Sequence, residues 1–272
     1  MSTPPPAQRI ALIGLGAIGQ SVAEQLLAHP ADFQIVAVLV QDRAAAQAAL
    51  PELAPRLVDD LTGLLAARPD CVVECAGHGA VDALADPVLR AGCDLVLVSV
   101  GALADARRAE RLQAAAREAG RQLLLVSGAI GGLDWLGAAA GAGLREVTYR
   151  GRKPPRAWRG TEAEGLLDLG ALAAPACFFR GSAREAASRY PLNANVAASV
   201  GLAALGLDRT MVELWADPTV HENVHEVEAD GEAGHLLLRL NNRPDPRNPR
   251  TSAITAHSVL RRLLQRRAPL GF

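Results

Sequence analysis

A glycine-rich turn near the start of the chain constrains its fold more than any other feature. The apolar run Ile10 to Ile13 leads into GLGAIG (14–19), and a helical pattern follows. In such a G-x-G-x-x-G turn the first glycine permits the tight turn, the second lets a pyrophosphate approach the backbone, and the third lets the helix pack closely on the sheet. Because strand, turn and helix occur in this order, we predict dinucleotide binding rather than a glycine-rich turn without a ligand. The predicted cofactor contacts in this turn are Gly14, Gly16, Ala17, Ile18 and Gly19.

The first half of the chain alternates short apolar runs with amphipathic segments, which is the pattern of a parallel sheet covered by helices. The predicted strands are Ile10 to Ile13, Phe33 to Val40, Cys71 to Cys75, Asp94 to Val98 and Gln122 to Val126. We therefore predict an α/β protein whose N-terminal domain, residues 1–132, is a Rossmann doubly wound parallel sheet. Met1 to Ala7 is expected to be a disordered tail.

After Gly131-Gly132 the pattern changes to that of an α+β domain. Its predicted elements are strands over Glu146 to Arg152, Met211 to Ala216, Val224 to Ala229 and Leu236 to Leu240, and a helix over Asn195 to Leu205. The last two strands are expected to form a hairpin through an Asp230-Gly231 turn. We predict an α+β domain over 133–247 and a C-terminal helical segment over 248–272. In that segment Asn248-Pro249 is expected to supply a helix N-cap and an N1 proline, and Ser258 to Arg267 is expected to form the final helix.

Charge and apolar runs narrow the possible partners. With 28 basic and 29 acidic residues the formal net charge is −1, which gives no electrostatic case for nucleic acid or an anionic membrane. No apolar run approaches the ~20 residues that a membrane-spanning helix needs. The four cysteines form no C-x-x-C pair and are expected to be core thiols in a reducing cytosol. We therefore predict a soluble, cytoplasmic protein that acts on a small molecule.

The pentapeptide HENVH (221–225) matches the H-E-x-x-H pattern of zinc peptidases, which requires a helix to bring both histidines to one metal. Its surroundings favour a strand instead, because Pro218 lies just upstream and Val224 and Val227 are β-branched. On a strand, His221 lies too far from His225 to share a metal easily. We therefore predict no metal site.

The choice between NAD and NADP depends on the loop after the second strand. An acidic residue there hydrogen-bonds the ribose 2′-hydroxyl of NAD, whereas an arginine accommodates the 2′-phosphate of NADP. The segment Gln41-Asp42-Arg43 offers both, so the sequence leaves NAD or NADP open. We expect Asp42 to contact the cofactor, with an ordinary solvated loop as the alternative.

Later in the chain several polar residues are candidates for substrate binding. SGAIGG (127–132) follows a strand at the sheet edge where open α/β sheets bind ligands, although a flexible crossover would have the same composition. Lys153 can hold a carboxylate, but an exposed lysine before a turn is equally compatible with the pattern. Asn248 and Thr251 have a sufficient structural role as helix caps.

Seven strings together resemble the L-aspartate dehydrogenase family over nearly the whole chain. They are GLGAIG (14–19), ECAGHGAV (74–81), SGAIGGLD (127–134), KPPRAWRGT (153–161), NANVAAS (193–199), ADPTVHENVHEV (216–227) and NPRTSAITAHSVL (248–260). The resemblance implies a Rossmann domain with an α+β catalytic domain, a homodimer, and NAD(P)-dependent oxidation of L-aspartate. Its product, iminosuccinate, is expected to hydrolyse to oxaloacetate and ammonia or to feed NAD biosynthesis.

The same resemblance implies that His225 is the catalytic histidine and that Ala129 and Asn195 contact the nicotinamide. A base is needed because hydride leaves Cα of aspartate only when the amine is neutral. An imidazole that titrates near neutral pH can take the ammonium proton. The two substrate carboxylates require cationic or hydroxyl donors, for which the candidates are Lys153, Thr251 and Ser252.

Two alternatives remain beside this resemblance. One is a related NAD(P)-dependent oxidoreductase of the dihydrodipicolinate-reductase or homoserine-dehydrogenase type, and the other is a non-catalytic NAD-sensing module. A zinc hydrolase would further require stoichiometric zinc in the purified protein and loss of activity to a chelator. His78 lies in a stretch that often carries serine in the family, so it bears on substrate or cofactor preference.

Overall fold

The computed structural model describes residues 6–270, so most of the expected tail Met1 to Ala7 lies outside the described residues. The chain forms two compact units. The first contains the residues up to Ser99, Arg107–Val126 and the residues from Ala256 onward, and the second contains Val100–Ala106 and Ser127–Thr255. The domain limits expected at residues 132 and 247 stay a prediction.

The first unit is built on a six-stranded parallel sheet, which confirms the predicted α/β class. Its strands are β1 (Gln8–Ile13), β2 (Phe33–Leu39), β3 (Leu57–Val58), β4 (Cys71–Glu74), β5 (Asp94–Leu97) and β6 (Leu123–Leu125). The helices along this part of the chain are α1 (Ala17–Leu27), α2 (Arg43–Ala49), α3 (Leu61–Ala66), α4 (His78–Arg90) and α5 (Ala106–Ala119). The strand order β3-β2-β1-β4-β5-β6 reverses direction between β1 and β4. Open α/β sheets bind ligands at such a reversal, beyond the carboxyl ends of the strands.

Continuous apolar runs produce these central strands because both faces of a parallel sheet are covered. Ile10, Leu12, Val73 and Val96 are fully buried and belong to one apolar cluster. Five predicted strands are thus confirmed to within two residues at each end. The two-residue strand β3 was not predicted, since it is too short to show a pattern.

The second unit is built on a five-stranded sheet of order β11-β10-β7-β9-β8, in which only the β7–β9 pair is parallel. Its strands, together with a small separate pair, are β7 (Leu144–Lys153), β8 (Ala176–Ser182), β9 (Met211–Ala216), β10 (Asn223–Gly231), β11 (Gly234–Asn242), β12 (Pro244–Asp245) and β13 (Asn248–Ser252). Its helices are α6 (Leu133–Gly141), α7 (Ala163–Leu166), α8 (Ala183–Arg189) and α9 (Asn195–Ala203). The predicted α+β character is confirmed.

The hairpin of β10 and β11 is also confirmed, but its turn lies elsewhere. Asp230 pairs with His235 and Gly231 pairs with Gly234, so both expected turn residues continue the ladder. The chain reverses at Glu232 and Ala233 instead.

The predicted role of Asn248-Pro249 as a helix cap is wrong. Both residues belong to β13, which pairs with β12, and the Asn248 side chain accepts a hydrogen bond from the Arg250 N–H at 3.2 Å. The last helix, α10 (Ile254–Gln265), begins four residues before the predicted start at Ser258. From α10, Ala256, Val259 and Leu263 belong to the apolar cluster of the first unit. Within residues 6–270, no helix is both long and apolar enough to cross a bilayer.

Candidate active site

In the first unit a cavity of about 1000 Å³ opens at the carboxyl ends of β1 and β2. It is lined by the glycine-rich turn, by Val40 to Asp42 after β2, by Asp59 and Asp60, and by Cys75 and Ala76 before α4. This is the edge at which a doubly wound sheet binds a dinucleotide.

Each of the three glycines of the turn occupies a position that favours glycine for a different physical reason. Gly14 adopts a φ of +89°, which favours glycine, and a Cβ there would lie 2.8 Å from the Cβ of Ala76. At Gly16 no described atom lies within 4 Å of the position of a Cβ, so the backbone faces open space. A Cβ at Gly19 would collide with the carbonyl oxygen of Gly14. Ala17 and Ile18 form the first turn of α1, whose N-terminus can bind an anion, so these residues fit a dinucleotide phosphate.

The loop after β2 is acidic where it meets the cavity. Asp42 caps α2 by accepting a hydrogen bond from the Ala45 N–H at 2.9 Å, and its side chain remains exposed. Asp59 and Asp60 line the same cavity, and Arg43 forms an ion pair with Asp59 at 3.3 Å. The arginine that would accommodate a 2′-phosphate therefore already has an acidic partner.

The turn between β4 and α4 is held by a buried carboxylate. Glu74 accepts hydrogen bonds from the N–H groups of Ala76 and Gly77, both at 2.7 Å, and from the N–H and Oγ of Ser99, both at 3.0 Å. Burial raises the pKa of Glu74, while these donors favour the ionised form. His78 is the first residue of α4 and is half-buried, so it begins the helix immediately after this turn.

The second unit brings several polar residues to one buried face of its sheet. In the ladder between β7 and β10, His225 pairs with Gly151 and Val227 pairs with Tyr149. Since side chains alternate between faces along a strand, Tyr149 and Lys153 share a face with His225. All three are buried, with exposed fractions of 1%, 5% and 2%.

His225 is oriented on this face by one hydrogen bond. Its Nδ1 lies 2.7 Å from Tyr149 Oη, whereas its Nε2 is buried and has no hydrogen-bond partner among the described residues. Burial, and after it the charge of Lys153, lowers the pKa of His225 to about 3. The expectation that this imidazole titrates near neutral pH is therefore wrong for the free protein, in which the ring is neutral.

Lys153 is the sole lysine of the sequence, against 27 arginines. Its Nζ donates to the backbone carbonyl of Arg250 at 3.0 Å, and it takes part in none of the ion pairs in the described part of the chain. Burial, and then the charge of Arg250, lowers the pKa of Lys153 to about 8. Burying a cation without a carboxylate partner destabilises the folded state, so binding of an anion beside Lys153 would be favourable.

Ser252 and Asn223 extend the buried polar group. Asn223 Nδ2 donates to Ser252 Oγ at 3.2 Å, and Asn223 Oδ1 is buried without a partner among residues 6–270. Thr251 is half-buried, and its hydroxyl accepts a hydrogen bond from Asn248 Nδ2 at 3.3 Å. Of the predicted substrate residues, Lys153 and Ser252 are buried, while Thr251 lies in the more exposed strand end.

The two residues expected to contact nicotinamide have structural partners of their own. The Ala129 carbonyl accepts from Asn242 Nδ2 at 2.8 Å, and the Asn195 Oδ1 accepts from the Gly101 N–H at 2.9 Å. Asn195 is the first residue of α9, and Ala129 is buried in the glycine-rich segment before α6. Their predicted role stays a prediction.

The H-E-x-x-H match has no helical basis. His221 is exposed in the loop before β10, while His225 is buried on the strand. No group of three or more His, Cys, Asp or Glu side chains suited to a metal occurs in residues 6–270.

Tyr149, Gly151 and Asn223 were not among the predicted site residues. The first two lie two residues apart on β7, at the period that predicts a shared strand face, but their link to His225 depends on strand pairing.

Comparison with known proteins covers both units. The family model "Aspartate dehydrogenase, C-terminal" matches residues 134–266, and "Homoserine dehydrogenase, NAD binding domain" matches residues 14–126. The chain is 51% identical over 255 residues to an L-aspartate dehydrogenase of Cupriavidus taiwanensis, which covers 93% of this chain and 96% of the relative. It is 47% identical over 258 residues to an L-aspartate dehydrogenase of Pseudomonas aeruginosa, again over 93% and 96%.

Among solved structures, aspartate dehydrogenase from Thermotoga maritima superposes with a TM-score of 0.75 and 24% identity, over 97% of this chain and 99% of that one. A homoserine dehydrogenase from Thiobacillus denitrificans gives a TM-score of 0.65 at 15% identity, over 96% and 73%. At these identities the superpositions show a shared fold.

Proposed function

The chain belongs to the L-aspartate dehydrogenase family, and we propose on that premise that it oxidises L-aspartate to iminosuccinate with a nicotinamide cofactor. The observation that carries the proposal is the buried sheet face on which the neutral imidazole of His225 and the cationic Lys153 lie together. One supplies a proton acceptor and the other a counter-charge for a carboxylate, which are the two functions that a dicarboxylic amino acid requires.

In the proposed reaction His225 Nε2 takes one proton from the substrate ammonium, which frees the nitrogen lone pair. That lone pair forms the C=N bond as the Cα–H bond breaks with both of its electrons. A bound nicotinamide supplies the acceptor for this hydride. Water then adds to the imine carbon and ammonia leaves, which gives oxaloacetate. In this proposal His225 also accepts a proton from that water, once it has released the first proton to solvent.

The low pKa of His225 in the free protein suits this role only if the substrate changes its surroundings. The carboxylates of aspartate bring negative charge beside Lys153, which offsets the second cause of the depressed pKa. The substrate thereby makes its own base stronger. Without substrate, a neutral ring avoids a second buried cation next to Lys153.

We assign one substrate carboxylate to Lys153 and to the Ser252 hydroxyl, with the Asn223 amide beside them. Ser252 Oγ accepts from Asn223 and can still donate its own proton to an anion. Thr251 is retained as a candidate for the second carboxylate, since its hydroxyl also remains able to donate while it accepts from Asn248.

NAD is the proposed preferred cofactor. A 2′-phosphate at this cavity would meet the carboxylates of Asp42, Asp59 and Asp60, and Arg43 is paired with one of them. Asp42 can accept a hydrogen bond from a free 2′-hydroxyl through the oxygen that does not cap α2.

The test is reduced-cofactor absorbance with purified protein at alkaline pH. L-Aspartate with NAD is expected to give signal, while D-aspartate, L-glutamate and L-homoserine give little and a chelator has no effect. Signal with homoserine alone would move the assignment to the homoserine-dehydrogenase type. NAD binding without turnover on any of these amino acids would favour a sensor.

The proposed assembly is a homodimer that uses the other face of the second sheet. That face carries charges of both signs, including the ion pairs Arg150–Glu228 at 2.9 Å and Arg152–Glu226 at 3.1 Å. It also carries Leu237, which is 73% exposed. A two-fold interface needs such a self-complementary patch. Light scattering is expected to give a dimer that Leu237→Asp converts to monomer, and an unchanged mass in the variant would exclude this face.

A cytoplasmic location and the delivery of iminosuccinate to NAD biosynthesis stay predictions.

A further inference from the structure

Tyr149 reaches His225 diagonally across the ladder of β7 and β10. Its direct partner in the register is Val227, and the residue that faces His225 is Gly151. The phenol ring therefore passes over Gly151 to bring Oη within 2.7 Å of Nδ1, with the two ring centroids 6.0 Å apart.

Gly151 makes this path possible because it has no side chain. A Cβ at that position would lie 2.8 Å from Tyr149 Oη and 3.3 Å from two carbons of the ring. Its φ is not in the left-handed region, so the strand does not need a glycine for its backbone conformation. What the position requires is space for the tyrosine.

We propose that Tyr149 is a positioning residue for His225, and that Gly151 leaves the space that the tyrosine ring occupies. The Tyr149 hydroxyl accepts the Nδ1–H of the imidazole, which leaves the lone pair on Nε2, the nitrogen that exchanges a proton with the substrate. This inference rests on the proposed function of His225 as the base.

The physical reason is the choice between two tautomers. A neutral imidazole holds its proton on one nitrogen, and the Tyr149 hydroxyl can accept from a protonated Nδ1 or donate to an unprotonated one. Only with the proton on Nδ1 can Nε2 act as a base. When the ring becomes charged, the Nδ1–H to Oη bond becomes charge-assisted and stronger, so Tyr149 also stabilises the protonated base.

Tyr190 supplies a matched control for removal of the hydroxyl. It is a tyrosine of the same unit with an exposed fraction of 1%, and its Oη has no hydrogen-bond partner among the described residues. Tyr149→Phe is expected to lower kcat about 10- to 100-fold, because a hydrogen bond to a charged group is lost, while the KM for NAD changes less than about twofold. The acid limb of the kcat profile should also move to lower pH, since the base becomes weaker. Tyr190→Phe should leave kcat, the KM for NAD and the acid limb of the kcat profile unchanged.

Gly151→Ala keeps the hydroxyl but displaces the ring, so it is expected to lose a similar factor in kcat. Equal kcat values in Tyr149→Phe and Tyr190→Phe would overturn the proposal. So would a wild-type-like pH profile in Tyr149→Phe.

A second measurement needs no turnover. In protein labelled with ¹⁵N-histidine, the His225 resonances are expected to show a protonated Nδ1 and an unprotonated Nε2, and this pattern should be lost in Tyr149→Phe. A protonated Nε2 in the neutral wild-type ring would overturn the tautomer assignment. If the wild type does not oxidise aspartate, the proposed function fails, and the resonances still decide whether Tyr149 sets the tautomer.

Discussion

Lys153 and His225 share one buried face of the second sheet, and after burial itself the ammonium of Lys153 is the cause that lowers the pKa of His225. Two such groups repel when both are charged, so the free site holds one cation and one neutral ring. An anion placed between them would stabilise the charged form of both. The pair would therefore favour a ligand that carries negative charge.

Replacement of Lys153 tests this arrangement. Lys153→Met keeps the length of the side chain and removes its charge, so the KM for L-aspartate should rise about 10- to 100-fold, the loss typical of a hydrogen bond to a charged partner. The KM for NAD should change less than about twofold, since Lys153 is assigned to a carboxylate of the substrate and not to the cofactor. Initial rates over a matrix of both concentrations separate these constants. An unchanged KM for aspartate would assign the carboxylate to other residues.

Removal of the base should abolish most turnover but not cofactor binding. We expect His225→Ala to lose on the order of 10²- to 10⁴-fold in kcat, the usual contribution of a general base. NAD affinity, measured by fluorescence titration, should be retained. His221→Ala is the matched control because that residue is exposed in the loop before β10. Comparable losses in the two variants would contradict the role of His225.

The cofactor preference should depend on the acidic edge of the first cavity. Asp42→Asn retains an oxygen that can cap α2, and Asp59→Asn removes the ion-pair partner of Arg43. The double variant is expected to lower the ratio of kcat/KM for NAD over NADP by about tenfold or more, because an arginine is freed and repulsion of the 2′-phosphate is relieved. An unchanged ratio would show that these carboxylates do not distinguish a 2′-hydroxyl from a 2′-phosphate on the ribose.

The fold was predictable from sequence where local patterns decide it. Central strands such as β1 and β4 are continuous apolar runs, and GLGAIG encodes its own turn. The strand β8 (Ala176–Ser182) was not predicted, because its sequence does not alternate with a period of two. Its pairing with β9 includes a register shift between Cys177 and Phe179. Asn248-Pro249 fits a helix cap or a strand equally well by composition, and the pairing with β12 decided between them.

The candidate site was predictable only in part, because its contacts join distant positions. His225 was found by resemblance to a family, and its strand placement by β-branched neighbours. Its contact with Tyr149 spans 76 positions, and that of Asn223 with Ser252 spans 29. The low pKa of His225 arises from burial, which a residue's own sequence neighbours do not determine.

The contribution of Lys153 to the free energy of unfolding should become more favourable to the folded state as the pH rises from about 8 to 10.5. Its pKa is about 8 in the folded protein and 10.5 as the ordinary value, so in this window the unfolded chain binds more protons. Below the window the folded state carries the full cost of a buried ammonium, and above it both states are neutral. The difference corresponds to about 3 kcal/mol in the free energy of unfolding.

Denaturant unfolding of the wild type and Lys153→Met at both ends of the window isolates this effect, because other titrating groups are common to the two proteins. The variant should be the more stable at about pH 7.5, and the advantage should fade by about pH 10.5. Since the sequence has one lysine, ¹³C-lysine labelling gives a single side-chain resonance whose titration reads the pKa directly. A midpoint near 10.5 would mean that Lys153 is solvated, and it would remove the basis for a carboxylate site at this residue.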